Sequence, residues 1–250
     1  MLFEPMTLTL IAIAVIFAGI SKGGFGSGAA FAATPIIAVA VDPRTALGIM
    51  LPLLMLMDVA ALKSYWRQWN VPSSRAMILG GLPGVALAAA VFQITNADVF
   101  RLLIGAIAIG FVAFEMARAR GWINPKQRPF SRPLAIFTGT VAGFTSFISH
   151  AGGPPVAMFM LSQRSPKTEY QATTVIVFTA INIMKFFPYA FLGIFTLDTL
   201  AVNLWMAPVA FLGVWIGVKA HHLVPEKLFF QITYVLLTCT GAKLIWDALT

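Results

Sequence analysis

The sequence predicts an all-α integral membrane protein of two inverted-topology repeats, each a broken or re-entrant helix pair plus three full transmembrane helices. Three observations lead there. Of 250 residues, 59% are hydrophobic and only 10% charged, whereas charged residues make up about 25% of a soluble domain. Apolar segments recur along the whole chain. Two of them break in the middle of a hydrophobic run, over residues 19–28 and again over 143–155.

The apolar segments fall at about 6–20, 29–41, 46–63, 76–95, 99–117, 134–148, 154–162, 170–193, 200–219 and 228–248. A helix needs about 20 residues to cross the hydrocarbon core. The pairs 6–20 with 29–41 and 134–148 with 154–162 are too short for that. They read as half-helices meeting at mid-depth, or as hairpins that return to the side they entered. The remaining segments read as full spans.

Lysine and arginine accumulate on the cytoplasmic side of membrane proteins. Here they gather in four loops, marked by Lys63, Arg67 and Arg75, by Arg118 to Arg132, by Arg164 and Lys167, and by Lys219 and Lys227. The other connections carry Asp42 with Arg44, Asp98 and Asp198. Four cytoplasmic basic loops are self-consistent if each broken pair returns to its own side, and both termini then lie outside. The net charge of +8 therefore reads as topology and argues for no nucleic-acid partner. Glu4 stands where a signal peptide carries Lys or Arg, so the first apolar run is expected to be retained. The single cysteine, Cys239, excludes an intramolecular disulfide and reads as a small buried hydrophobe.

The two halves share a plan. Asp42-Pro43-Arg44-Thr45 matches Ser165-Pro166-Lys167-Thr168, Asp58 falls opposite Asn182, Tyr65 opposite Tyr189 and Pro83 opposite Pro208. This divides the one membrane domain into a first repeat, 1–120, a basic cytoplasmic linker, 121–133, and a second repeat, 134–250. An odd number of crossings per half inverts one repeat relative to the other, an arrangement that in secondary transporters places the substrate between two broken helices.

Backbone that leaves the helix inside a bilayer must be satisfied by protein or by a watery cavity, so each break is a candidate site. A half-helix starting beyond a break aims unpaired N–H groups and the positive end of its dipole at the gap. Around the first break stand Ser21, Lys22, Gly24, Gly26, Ser27 and Gly28; around the second, Ser146, Ser149, His150, Gly152 and Gly153. Hydroxyls, a lysine and a histidine suit an anion. Ionisable groups at depth are costly and functional by default, which adds Asp58 as a partner for Lys22 and a coupling or gating residue, and Asn182 with Lys185 on a shared helix face. His150 is a second coupling candidate, because imidazole titrates near neutral pH. Plainer readings stand beside these. The glycine spacings also suit helix packing, Asp58 can pair with Lys63, and Lys185 can snorkel. His221 and His222 read as solvated, Glu115 pairs with Arg118, and Glu169 suits the start of its helix. No metal site, cofactor motif, nucleophile–base pair or paired catalytic carboxylates emerges, so the reading is non-enzymatic.

The glycine-rich break followed by Thr34-Pro35, its counterpart with Gly152-Gly153-Pro154-Pro155, and the total length resemble the TauE/SafE sulfite exporter family over essentially the whole chain. That resemblance implies a multi-pass transporter of the bacterial inner membrane, with both termini periplasmic on the charge pattern, handling small sulfur-containing anions such as sulfite, sulfoacetate or other sulfonates. The sequence departs from the family's glycine at His150 and at Pro154. The expected function is secondary transport by alternating access, with the anion and the bilayer as partners and proton coupling and a homodimer left open. An anion channel, a non-transporting membrane scaffold and a cation carrier using Asp58 are the competing readings.

Overall fold

A computed structural model describes residues 2–25, 30–123, 127–220 and 226–250, and all regular structure among them is helical. Helix α1 (Pro5–Ile20) begins with proline in its first turn, where a missing N–H costs nothing, and runs on into a π-helical turn, Ser21–Phe25. A single 3₁₀ turn, Ala30–Ala32, leads into the short α2 (Ala33–Ala38). Then come α3 (Pro43–Ser64), α4 (Val71–Ile94) and α5 (Ala97–Ala119). The second half repeats the series as α6 (Arg132–Ser149), α7 (Gly153–Ser162), α8 (Lys167–Phe191), α9 (Leu197–Ala220) and α10 (Glu226–Leu249). Side chains of Asp42, Asn70 and Asn96 cap α3, α4 and α5 by accepting from backbone N–H groups one turn in, each contributing about 1 kcal/mol.

Among the described residues seven helices are long and apolar enough to cross a membrane. One of them corrects the sequence reading. The π turn prolongs α1, so that Pro5–Gly24 reaches spanning length where a half-helix was expected. Cys239 is a second correction, since it lies exposed on α10 instead of buried.

Leu2, Val41, Asp42, Arg101, Asp198 and Asp247 line one cavity. The start of α1 and the end of α2 therefore share a face of the molecule with the acidic connections. At the second pair, the Arg128 N–H donates to the Ser162 carbonyl (3.2 Å), joining the approach to α6 with the end of α7. At the mouth of α4, the Asn70 N–H donates to Thr173 Oγ1 (2.9 Å) and its amide to Glu169 (3.4 Å), which places the start of α8 beside the start of α4.

The packing crosses between the halves. Helix α1 lies against α9 as α6 lies against α4, α3 meets α8, and α5 meets α10. Glycines make the first two contacts close. A Cβ at Gly80 or Gly84 of α4 would strike the carbonyl of Ile136 or Thr140 of α6, and one at Gly139 or Gly143 would strike Met77 or Gly81 in return. Gly19 and Gly24 meet Gly213 and Gly217 of α9 in the same way. Small residues let membrane helices approach backbone to backbone, and this fixes both broken segments against a full-length neighbour.

Candidate functional site

The π turn carries Lys22 inward, and α3 presents Asp58 to meet it. Lys22 is 5% and Asp58 2% exposed; they form a buried ion pair, and Lys22 Nζ also donates to the Leu54 carbonyl (3.3 Å). From α8, the Asn182 amide donates to the other oxygen of Asp58 (2.6 Å). The two carboxylate oxygens are thus held by groups from two different helices. Burial of such a pair is sustained only when its remaining hydrogen-bonding capacity is met, and Asn182 and Leu54 meet much of it.

A second set of contacts lies beside the first. Lys185, one helical turn after Asn182 and with none of its surface exposed, donates to the Ser146 carbonyl (3.0 Å) and hydroxyl (2.9 Å), and its Nζ lies 2.7 Å from His150 Nδ1. His150 ends α6 in the left-handed conformation, φ 57°, a region L residues adopt at a cost and glycine adopts freely. That turn reverses the chain into α7, whose first helical residue, Gly153, faces the gap with proline behind it. Gly152 has no room for a side chain, because a Cβ there would press on Phe178 and the Ala142 carbonyl. Tyr189, whose ring lies near that of His150, donates to the Phe147 carbonyl (2.5 Å) and packs edge-on against the Phe147 ring.

Between the two sets is a cavity of about 20 Å³ lined by Lys22, Ser146, His150, Gly153, Phe178 and Asn182, among others. One water needs roughly 10–15 Å³ by this measure. A multi-atom anion therefore enters only as the walls part. His150 Nε2 is buried and has no hydrogen-bond partner among the described residues.

The structure thus brings Lys22, Asp58, Ser146, His150, Gly153, Asn182 and Lys185 into one cluster. Ser21 is buried in the π turn. Ser149 is buried, but its hydroxyl donates back to the Thr145 carbonyl (3.3 Å), and Gly24 faces α9. Gly26, Ser27 and Gly28 lie outside the described residues, as do His221 and His222. Asp58 pairs with Lys22 and not Lys63, Lys185 does not snorkel, and Glu115 pairs with Arg118 while accepting from the Tyr234 hydroxyl. Sequence reasoning passed over Tyr189 and Phe178 as site residues. The only signal for Tyr189 was its place opposite Tyr65 in the repeat. Among the described residues no group of side chains is arranged to hold a metal ion.

A family model described as "Sulfite exporter TauE/SafE" matches residues 11–244. No curated protein and no solved structure matches the chain.

Proposed function

Because this chain belongs to the sulfite exporter TauE/SafE family, we propose that it is a secondary transporter of a small sulfur-containing oxyanion, sulfite or a sulfonate, binding it at the Lys22–Asp58–Lys185–His150 cluster. One observation carries the reading. Two buried lysines share the cluster with a single carboxylate, Asp58, which pairs with Lys22 while Lys185 meets Ser146 and His150, so the groups able to carry positive charge outnumber the anionic one. An uncompensated cation inside a membrane protein is costly, and a bound anion removes the imbalance.

The shared faces described above support two repeats, 1–120 and 134–250, related by an axis in the membrane plane and joined by the linker 121–133. Helix α3 begins on the face of the acidic connections and α8 on the opposite one, as inverted repeats require. The basic loops put the second face in the cytoplasm and both termini in the periplasm of a bacterial inner membrane. In the working cycle Asp58 holds Lys22 while the site is empty, and an anion competing for Lys22 loosens the link between α1 and α3. The cavity then opens to one side at a time.

The test is flux of sulfite and sulfoacetate, with a carboxylate control, from liposomes containing the purified protein. Saturable movement of the sulfur anions with counterflow is expected. Lys22→Ala should abolish binding and flux while the protein still inserts; unchanged affinity overturns the assignment. Flux without saturation would favour a channel, and a response to an imposed pH gradient would bring in proton coupling through His150.

A further inference from the structure

This inference is independent of the anion-carrier reading, since it concerns a different cavity and is tested by binding of a different ligand. Away from the cluster, a groove of about 480 Å³ lies between α6 and α7. Its walls are largely apolar, with Leu134, Phe137 and Val141 on one helix and Pro155, Met158 and Phe159 on the other. Small-molecule sites run to about 300–1,000 Å³. From Leu134 to Val141 the wall follows α6 for about 10 Å. Among its described lining residues the charged one is Arg128, which precedes α6 and is bonded through its backbone to Ser162 at the end of α7. Neither Arg128 nor Arg132 enters an ion pair among the described residues. The sequence holds no Asp or Glu from 116 to 168, while that stretch carries seven Lys and Arg. The groove is therefore apolar along its length and cationic at its loop end.

We propose that this groove binds an anionic glycerophospholipid of the cytoplasmic leaflet, with its phosphate on Arg128 and one acyl chain along Phe137, Val141 and Met158. A guanidinium matches phosphate oxygens with paired donors, and basic pockets between membrane helices on the cytoplasmic side suit such headgroups. A free anion would leave the apolar length unused, and a zwitterionic lipid would bring its ammonium into the basic surround. A second copy of the chain meeting through this face would set the same patch against itself, basic surround against basic surround. The lipid also has a mechanical consequence. With about 3.6 residues per turn, Pro155, Met158 and Phe159 stand on the side of α7 turned from Gly153, which lines the anion cavity. An occupied groove thus supports α7 from behind the site.

The experiment counts lipids on the purified full-length protein by native mass spectrometry while phosphatidylglycerol, or phosphatidylcholine with the same chains, is titrated in. One phosphatidylglycerol should bind about tenfold or more tightly than phosphatidylcholine. Arg128→Gln should bring that ratio toward one, and Arg128→Lys, which keeps the charge, should retain most of it. Arg75→Gln removes a charge at the start of α4, away from the groove, and should leave the ratio unchanged. Phe137→Ala combined with Met158→Ala should weaken both lipids about tenfold and keep the ratio, because it strips apolar wall and no charge. All four of these side chains are exposed, so the variants should fold, and thermal unfolding checks that they do. Glycerol 3-phosphate should not displace the lipid. Displacement by it would make the groove a site for free anions, a ratio retained by Arg128→Gln would assign the preference to the basic loops at large, and a dimer lost in the groove variants would make a second copy the occupant. Each of these results overturns the inference, as does equal binding of the two lipids. Flux of sulfur anions bears on none of them, so either reading can fall while the other stands.

Discussion

Replacing Asp58 by Asn tests whether the carboxylate is the internal competitor of the substrate. The change is nearly isosteric and lets position 58 keep an acceptor for Asn182. It removes the charge opposite Lys22, in a pair where both side chains are almost fully buried. Breaking a buried ion pair from one side costs about 3–5 kcal/mol, because the other charge is left uncompensated. In thermal unfolding of the detergent-solubilised protein this corresponds to a fall on the order of 10 °C. The same uncompensated ammonium should now hold an added anion more tightly. Saturation to about 100 times the dissociation constant returns roughly 2.7 kcal/mol, most of the smaller estimate of the loss. A tighter complex, by about tenfold, needs only about 1.4 kcal/mol of what the pair had held. Methanesulfonate or sulfite should therefore rescue D58N more strongly than it stabilises the unsubstituted protein. A variant as stable as its parent without anion, or one that gains nothing extra from it, refutes the competition.

Three further changes probe the scaffold and the packing beside the site. At Gly84, Val would drive a side chain into the Thr140 carbonyl, so α4 and α6 must separate and the unfolding temperature should fall by several degrees. Gly110→Ala meets nothing within 4 Å and should instead raise stability by about 0.5–1 kcal/mol through the helix propensity of alanine. Tyr189→Phe removes the hydroxyl that donates to Phe147 but keeps the ring stack. It should cost about 1 kcal/mol in stability and leave sulfonate affinity unchanged, because Tyr189 is not among the residues that line the cavity.

The spans were legible because a bilayer imposes length and composition together, and among the described residues every apolar segment except 29–41, where a 3₁₀ turn precedes the short α2, holds one helix. Helix α8 starts at Lys167, earlier than the apolar segment at 170, because its first turn is polar and anchored on Pro166. Hydropathy cannot see a helix end that lies outside the hydrocarbon. The first break was legible as a break but not in shape. Glycine permits many dihedrals, so Gly23 and Gly24 do not announce a π turn that carries α1 onward to spanning length. Residue types at the site were legible from their cost of burial, as with Lys22, Asp58 and Lys185. The partners were harder. Asn182 reaches Asp58 across 124 positions, and the contact of Lys185 with Ser146 and His150 depends on how α8 is rotated against α6. His150 stood out as a residue where glycine would be easier, and its left-handed backbone gives the reason.

The same packing links the site to larger movement. The π turn bearing Lys22 is held to α9 by Gly19 and Gly24, while the α6 residues leading to Ser146 and His150 are held to α4 by Gly139 and Gly143. Asp58 comes from α3, and Asn182 and Lys185 from α8. Every polar bond described between Lys22 or Ser146 and those three residues therefore joins a broken segment to α3 or α8, and the bond from Asn182 to Asp58 joins α3 to α8. Backbone contacts through glycine have no side chain to absorb displacement, whereas the lysine bonds end flexible stems. Loosening Lys22 from Asp58 is thus more easily met by α1 and α9 moving together past α3 than by α1 bending away from α9. On this argument the glycines do not compete with the anion site as an explanation of the breaks. In the proposed cycle they would be the means by which a change at one ion pair becomes the displacement of a packed helix pair.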